Sequence, residues 1–231
     1  MWEKAATANW TEQEVNFLLN VLECQTGASL LDVPCGFGRH TVALAKRGFT
    51  MTGIDISTEF LQKLAAQVEA EQLPVQVIYG DVTTTRFTSS FDGAYCLGNS
   101  FGYFEYDGMT DFVRNVSAAL KPGARFVINS GMVAESILQH FPETNHYVLD
   151  DLIMDIRNTY LIEESCMLTE LSYTKGEHTE KHYFKHFVYT LSEIKRILSS
   201  YGLRTIAVYN STEKAAYQLG DQQMYLVAEK R

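Results

Sequence analysis

Short apolar runs of four to seven residues alternate along the first half of the chain with longer stretches of helical period. The runs are Ser29–Asp32, Phe49–Ile54, Val75–Tyr79, Phe91–Leu97 and Arg125–Asn129, each bounded by Gly, Pro or Asp, and they read as strands. Between them, Thr41-Val42-Ala43-Leu44-Ala45-Lys46-Arg47 is a helical pattern closed by Gly48. Thr58 to Glu71 places Phe60, Leu61, Leu64 and Val68 on one face, and Met109 to Leu120 turns Phe112, Val113 and Val116 inward. Ahead of the first strand, Thr11-Glu12-Gln13-Glu14 is a capping box with Thr11 as N-cap. Val15, Leu18, Leu19 and Leu22 then share a helical face, expected at the sheet edge or over a ligand. The alternation predicts an α/β fold, a doubly wound and mostly parallel sheet with helices on both faces.

From about Glu135 to Tyr189 the rhythm breaks. Met154, Ile156, Tyr160 and Ile162 alternate with polar residues, and Met167–Tyr173 and Lys181–Tyr189 also have period two. Three antiparallel strands are expected, the last two joined by the turn Lys175-Gly176-Glu177, as an inserted lid or dimerisation surface. Thr190-Leu191-Ser192-Glu193 is a second capping box, and its helix carries Ile194, Ile197 and Leu198 and ends at Gly202. Leu203–Tyr209 and Gln223–Ala228 finish the chain as an antiparallel pair. The 231 residues are expected to form one domain, 1–231, with a β insert at about 135–189.

The chemistry concentrates where the first strand ends, in Asp32-Val33-Pro34-Cys35-Gly36-Phe37-Gly38-Arg39-His40. A Gly-x-Gly turn between strand and helix lets a ligand approach the backbone closely. A dinucleotide fingerprint needs a third glycine, but that position is Thr41, and Arg39 and His40 crowd the helix start where a pyrophosphate would sit. A second acid, Asp55, ends the second strand 23 residues after Asp32, placed to accept two ribose hydroxyls. Gly80-Asp81-Val82 follows the third strand, and Gly98-Asn99-Ser100-Phe101-Gly102-Tyr103 follows the fourth.

Taken together in this order, these motifs resemble those of class I S-adenosylmethionine (SAM) methyltransferases, over almost the whole chain. The similarity is to small-molecule enzymes. Cys96-Leu97-Gly98-Asn99-Ser100-Phe101 looks like the matching stretch of glycine N-methyltransferases, and the insert resembles that of sugar-amine N-methyltransferases in placement. The resemblance implies a seven-stranded Rossmann-like sheet closed by the final antiparallel pair. It implies SAM as cofactor, with Asp32, Pro34, Gly36 and Gly38 around its methionine end and Arg39 on its carboxylate. Asp55 and Ile56 then meet the ribose side, Gly80, Asp81 and Val82 the adenine, and Leu97 and Gly98 the strand-four edge.

Composition narrows the acceptor. A net charge of −9, with no Lys/Arg cluster, argues against nucleic acid. No apolar run reaches membrane-spanning length, and Met1–Ala5 lack a signal peptide's apolar core. Cys24, Cys35, Cys96 and Cys166 are widely spaced, as free thiols in a reducing cytoplasm would be. His182 and His186 share a strand face without a third ligand in reach, so no metal is expected and exposed or pocket-lining roles are. Asp92, at the entrance of strand four, is expected to be structural.

The strand-four exit is the expected transfer site. Asn99 and Ser100 are placed to position a polar nucleophile, and Tyr103 to accept a proton or orient the acceptor. Phe101 and Phe104 either wall the pocket or pack under the loop. The Asn/Asp-Pro-Pro-aromatic pattern of base-amino methylases is absent, since Asn99-Ser100-Phe101-Gly102 has no proline. With no strong base or metal to deprotonate an alcohol, a small amine methylated by in-line displacement is the leading reading. Alternatives are an O- or carboxyl-methyltransferase, a SAM-binding protein without catalysis and, more remotely, a nicotinamide-dependent oxidoreductase. A homodimer through the insert is the one macromolecular partner expected.

Overall fold

A computed structural model describes residues 7–88 and 90–231, with the side chain of Leu149 excepted. Met1–Ala5 therefore lie outside the described residues. The elements run α1 (Ala8–Leu22), β1 (Ser29–Asp32), α2 (Arg39–Lys46), β2 (Thr50–Asp55), α3 (Thr58–Glu71), β3 (Val75–Tyr79) and β4 (Phe91–Cys96). After a 3-10 turn at Ser100–Tyr103 come α4 (Tyr106–Ala119), β5 (Leu120–Ser130), the single turn α5 (Ala134–Ile137), and the strands β6 (Thr144–Leu149), β7 (Leu152–Leu161), β8 (Cys166–Lys175) and β9 (His178–Phe187). The chain closes with α6 (Leu191–Ser200), β10 (Leu203–Tyr209) and β11 (Met224–Lys230).

The main sheet has seven strands in the order β10-β11-β5-β4-β1-β2-β3. β1, β2, β3, β4 and β5 pair in parallel, and β11 runs antiparallel to both β5 and β10. The expected closing hairpin is present. Lys121–Ala124 bulge out between the Phe91↔Leu120 and Gly93↔Arg125 pairs, with Gly123 at φ +79, so the predicted turn survives as an irregularity at the start of β5.

Strands buried on both faces need apolar residues at successive positions, and Leu30-Leu31 serve opposite faces. Leu31, Ile54, Ala94, Phe126 and Ile128 pack against α4 and α6. Leu30, Met51, Tyr95 and Val127 pack against Val15, Phe17, Leu18 and Leu22 of α1 and Leu44 of α2. α1 thus lies across a face of the sheet, not at its edge. Its cap also differs from expectation: the helix starts earlier, with Thr7 as N-cap accepting from Trp10 N at 3.2 Å, and Thr11 sits inside the first turn. The Thr7 hydroxyl caps the helix four residues ahead of Thr11, and Trp10 in that added turn lies under the Arg39 guanidinium. The second predicted box is found as read, with Thr190 and Glu193 bonding reciprocally.

The insert between β5 and α6 is a four-stranded antiparallel meander, β6-β7-β8-β9, one strand more than expected. β6 carries no clean alternation because it is an edge strand. It is held by its register on β7, from Thr144↔Arg157 to Leu149↔Leu152, and the hairpin between them has Asp150 at φ +55. Ile162 is 81% exposed in a short 3-10 turn and is not part of a strand. Gly176 and Glu177 do form the β8–β9 hairpin.

Candidate functional site

Strand order reverses between β1 and β4, so the loops after β1 and β4 diverge and leave a crevice at the carboxyl end of the sheet. The glycine loop leaves β1 pinned on both sides: Val33 N donates to Tyr95 O at 3.0 Å and Cys35 N to Ile54 O at 2.8 Å. The Val33–Pro34 peptide is cis. Gly38, at φ +83, has no room for a side chain, because a Cβ would stand 2.3 Å from Leu64 Cδ1. Gly36, at φ +55, differs: a Cβ there would meet nothing within 4 Å. Gly38 therefore serves helix packing, while Gly36 leaves open space at the strand end.

Asp32 is buried and receives a 2.6 Å hydrogen bond from the Thr41 hydroxyl. Thr41, the residue that displaces a third glycine, thus orients the motif's acid. Burial pushes the Asp32 carboxyl up to about 6, against the opposing pull of His40, Thr41, Tyr95 and Arg39.

Asp55, also buried, accepts from Gly36 N at 2.8 Å through one oxygen and from Ser57 N at 2.8 Å through the other. A carboxylate has about four lone-pair sites, so it can tie the two loops together and still receive a diol. Ile56 beside it is 67% exposed, an apolar side chain standing in the open next to an acid. Gly80 N donates to Asp55 O at 3.0 Å. Asp81 folds back on Thr83, accepting from its N at 2.8 Å and its hydroxyl at 2.7 Å. Val82 and Leu97 are buried and hold these loops from inside, whereas Gly98, at φ +75, is exposed with open space over its Cα. The structure thus brings Asp32, Gly36, Asp55, Ile56, Asp81 and Gly98 to one end of the sheet. These residues fit SAM: an open glycine, an acid with spare lone pairs and an uncovered apolar neighbour are what its methionine, ribose and adenine parts require.

Arg39 is more enclosed than its place at a helix start suggested. Its Nη1 lies 2.6 Å from Glu14 Oε2 and 3.1 Å from Thr11 Oγ1, and its guanidinium stacks over Trp10 at 4.9 Å. His40 Nε2 also reaches Glu14 Oε2, at 2.9 Å. Glu14, read from the sequence only as a capping residue, is fully buried. Burial alone would raise its pKa, but His40 and Arg39 outweigh that and hold it below the usual carboxylate range. The signal was present, since Glu14 falls on the apolar stripe with Leu18 and Val21.

At the strand-four exit, Asn99 takes a left-handed conformation at φ +66 and starts the 3-10 turn. Its Oδ1 accepts from Gly131 N at 2.6 Å, and Ser100 Oγ donates to Leu97 O at 3.3 Å. Both side chains clamp the loop to the ends of β4 and β5. Phe101 is buried edge-on to Phe112, and Phe104 stacks on the same ring at 5.5 Å, so the two phenylalanines pack under the loop. Tyr103 is half exposed, its ring 4.5 Å from that of His186 on β9. Contact with the insert pushes the Tyr103 phenol up through burial, which favours an orienting hydroxyl over a proton acceptor. His186 is buried, not exposed, and no local pattern marks its partner across 83 residues.

Asp92 receives Ser29 N at 2.9 Å and Lys121 Nζ at 2.6 Å, the structural role expected of it. A cleft of about 590 Å³ beside it, lined by Leu22, Asp92, Lys121 and Arg125, lies at the opposite end of the strands. Among the described residues no group of three His, Cys, Asp or Glu is arranged to hold a metal ion, and no helix is long and apolar enough to cross a membrane.

Residues 30–123 match the family model of the methyltransferase domain. A SAM-dependent methyltransferase from Clostridium acetobutylicum superposes with a TM-score of 0.83 over 96% of this chain and 90% of that one, at 16% identity. Residues 30–123 thus resemble a methyltransferase domain, and the chain has the fold of SAM-dependent methyltransferases. The sugar N-methyltransferase KedS8 of Streptoalloteichus shares the fold of this chain at a TM-score of 0.77, with 16% identity over all of this chain and 92% of that one. In sequence, the ubiquinone biosynthesis O-methyltransferase of Alkalilimnicola ehrlichii is 32% identical over 122 residues, 51% of this chain and 44% of that protein. The chain spans less than half the length of the first curated relatives it matches, 32% and 44%.

Proposed function

We propose that the protein transfers a methyl group from SAM to a nitrogen of a small molecule. The observation that carries the reading is the crevice in which Asp32, Gly36 and Asp55 stand across from the exposed Tyr103 of the strand-four turn. Bound there, SAM supplies a methyl group already activated by its sulfonium. The chain's own residues have the remaining work of alignment and water exclusion, which in such reactions can lower the barrier by about 7–11 kcal/mol. Asp55 holds the ribose diol, Ile56 and Asp81 flank the adenine, and Gly36 lets the methionine end approach. Arg39 has five donors, more than Glu14 and Thr11 take up, and reaches the cofactor carboxylate. Asn99 and Ser100 fix the turn, and Tyr103 presents its hydroxyl to the acceptor.

The acceptor nitrogen gives its lone pair to the methyl carbon as the carbon–sulfur pair returns to sulfur, and the surplus proton on nitrogen leaves to water afterwards. No base is required for that order of events. The match in fold to a sugar N-methyltransferase along the whole chain, insert included, supports nitrogen, and the acidic surface supports a small uncharged or cationic acceptor over nucleic acid. The β insert also offers an edge strand, β6, on which a second copy can pair, and sedimentation of the purified chain tests that dimer. The function is tested by calorimetric titration with SAM, followed by methyl-labelled SAM offered to a panel of amines, phenols and carboxylates. Transfer to amines is expected. Transfer to phenols or carboxylates alone would move the acceptor to oxygen, and SAM binding without any transfer would leave a cofactor-binding protein.

A further inference from the structure

We infer that His186 receives the hydrogen bond of the acceptor's nucleophilic N–H, with Tyr103 as the cover over its imidazole. The inference deepens, and rests on, the methyl transfer proposed above.

β9 carries His186 to the strand-four turn, where its ring lies 4.5 Å from that of Tyr103, tilted by 30°, and 5.3 Å from that of Phe184. Gly102 permits the approach, since a Cβ there would come within 3.3 Å of His186 Cδ2. Neither ring nitrogen of His186 has a hydrogen-bond partner, although the residue is only 6% exposed. Buried polar atoms are nearly always paired in folded proteins, and an imidazole left bare at both nitrogens calls for a partner that comes and goes. His40 makes the contrast: equally buried, it is bonded to Glu14 at 2.9 Å and belongs to the scaffold.

The chemistry of the pocket suits an amine. Burial alone lowers the His186 pKa to about 4, so the ring is neutral at physiological pH and offers one acceptor lone pair. That lone pair accepts an N–H of the free-base amine and leaves the amine's own lone pair available for transfer. An N–H held by His186 fixes the direction of that lone pair while the N–C bond forms and the C–S pair returns to sulfur. The imidazole neither gains nor loses a proton, and the surplus proton leaves nitrogen for water after transfer. Tyr103 is half exposed where His186 is buried, so the phenol ring stands between imidazole and solvent, and its rotation admits the acceptor.

The test compares H186F and H186Q with the parent, using the first panel acceptor that is methylated by labelled SAM. Phenylalanine keeps the aromatic packing and removes both nitrogens; glutamine keeps a hydrogen-bond acceptor. SAM affinity, measured by calorimetry, is expected to be unchanged in both. In kcat/KM, H186F is expected to lose about tenfold and H186Q to stay within about threefold, the scale of one hydrogen bond made to the reacting group. Histidine ring nitrogen resonances of the parent are expected to shift when acceptor joins the SAM complex, and the shifting signal to be missing in H186F. Full turnover by H186F, or ring signals indifferent to acceptor, would overturn the inference and leave His186 with packing or an ordered water. Loss of SAM affinity in the parent itself, or no methylated acceptor at all, would instead remove the proposed function, and His186 with it.

Discussion

The two walls of the crevice are built on opposite principles. On the glycine-loop wall, the strand-tip acids are tied to backbone and side chains close at hand: Asp55 to Gly36 and Ser57, Asp32 to Thr41, Asp81 to Thr83. On the strand-four wall, Tyr103 meets a histidine from an inserted sheet, and that histidine's nitrogens have no partner. The first wall is fixed, as a cradle for the proposed cofactor would be. The second is aromatic and has unsatisfied polar atoms, as the proposed transfer to a small acceptor that enters and leaves would require.

The contrast breaks most readily at Glu14, which anchors the cradle from behind. E14A leaves Arg39 and His40 without their buried counter-charge and is expected to cost about 3–5 kcal/mol in denaturant unfolding. A loss below about 1 kcal/mol would mean that the pair behaves as a surface ion pair and the cradle is not fixed from α1.

Next in size is the pH response of Asp32. Its folded pKa is raised from 3.8 to about 6, so the folded state binds the proton more tightly than the unfolded chain. Its contribution to stability is therefore full below pH 4 and is lost as pH rises through 6, a change of about 3 kcal/mol. D32N should flatten that part of the stability profile. Protonation should also weaken SAM binding, so affinity is expected to fall as pH drops below about 6 in the parent and not in D32N. Identical profiles for the two proteins would show that Asp32 does not titrate in this window.

D55A removes a charge-assisted acceptor from the ribose side and is expected to weaken SAM binding by about 1.5–3 kcal/mol, read by calorimetry. Unchanged affinity would move the ribose elsewhere. The smallest effect is reserved for the other wall: Y103F should lower kcat/KM by about 0.5–1.5 kcal/mol in barrier and leave SAM affinity untouched. A weakened SAM affinity in Y103F would show that the two walls are not separate sites.

The strands, their order of appearance and the meeting of the glycine loop with two acids at one end of the sheet were legible because each rests on local pattern. Strand two ends in Asp55 within one residue of expectation, and the Thr190–Glu193 box bonds as read. What was misread depended on neighbours distant in sequence. Thr11 looks like an N-cap until the helix is seen to extend back to Thr7, and β6 has no alternation to reveal it because its pairing partner supplies the order. Glu14 was on the apolar stripe, but a carboxylate there reads as surface unless Arg39 and His40, 25 and 26 residues on, are known to face it.

The sequence alone determined the doubly wound sheet, the SAM-type glycine loop and the two acids at its strand tips, since a strand, a tight turn and a helix cap are each decided within a few residues by sterics and hydrogen bonding. Only the tertiary structure decided which polar groups are enclosed, because burial is a property of what covers a residue. Thr41 beneath Asp32, Glu14 beneath Arg39, and His186 beneath Tyr103 are all pairs of that kind. The last spans 83 residues and two sheets, and it exists because the insert folds back on the strand-four turn.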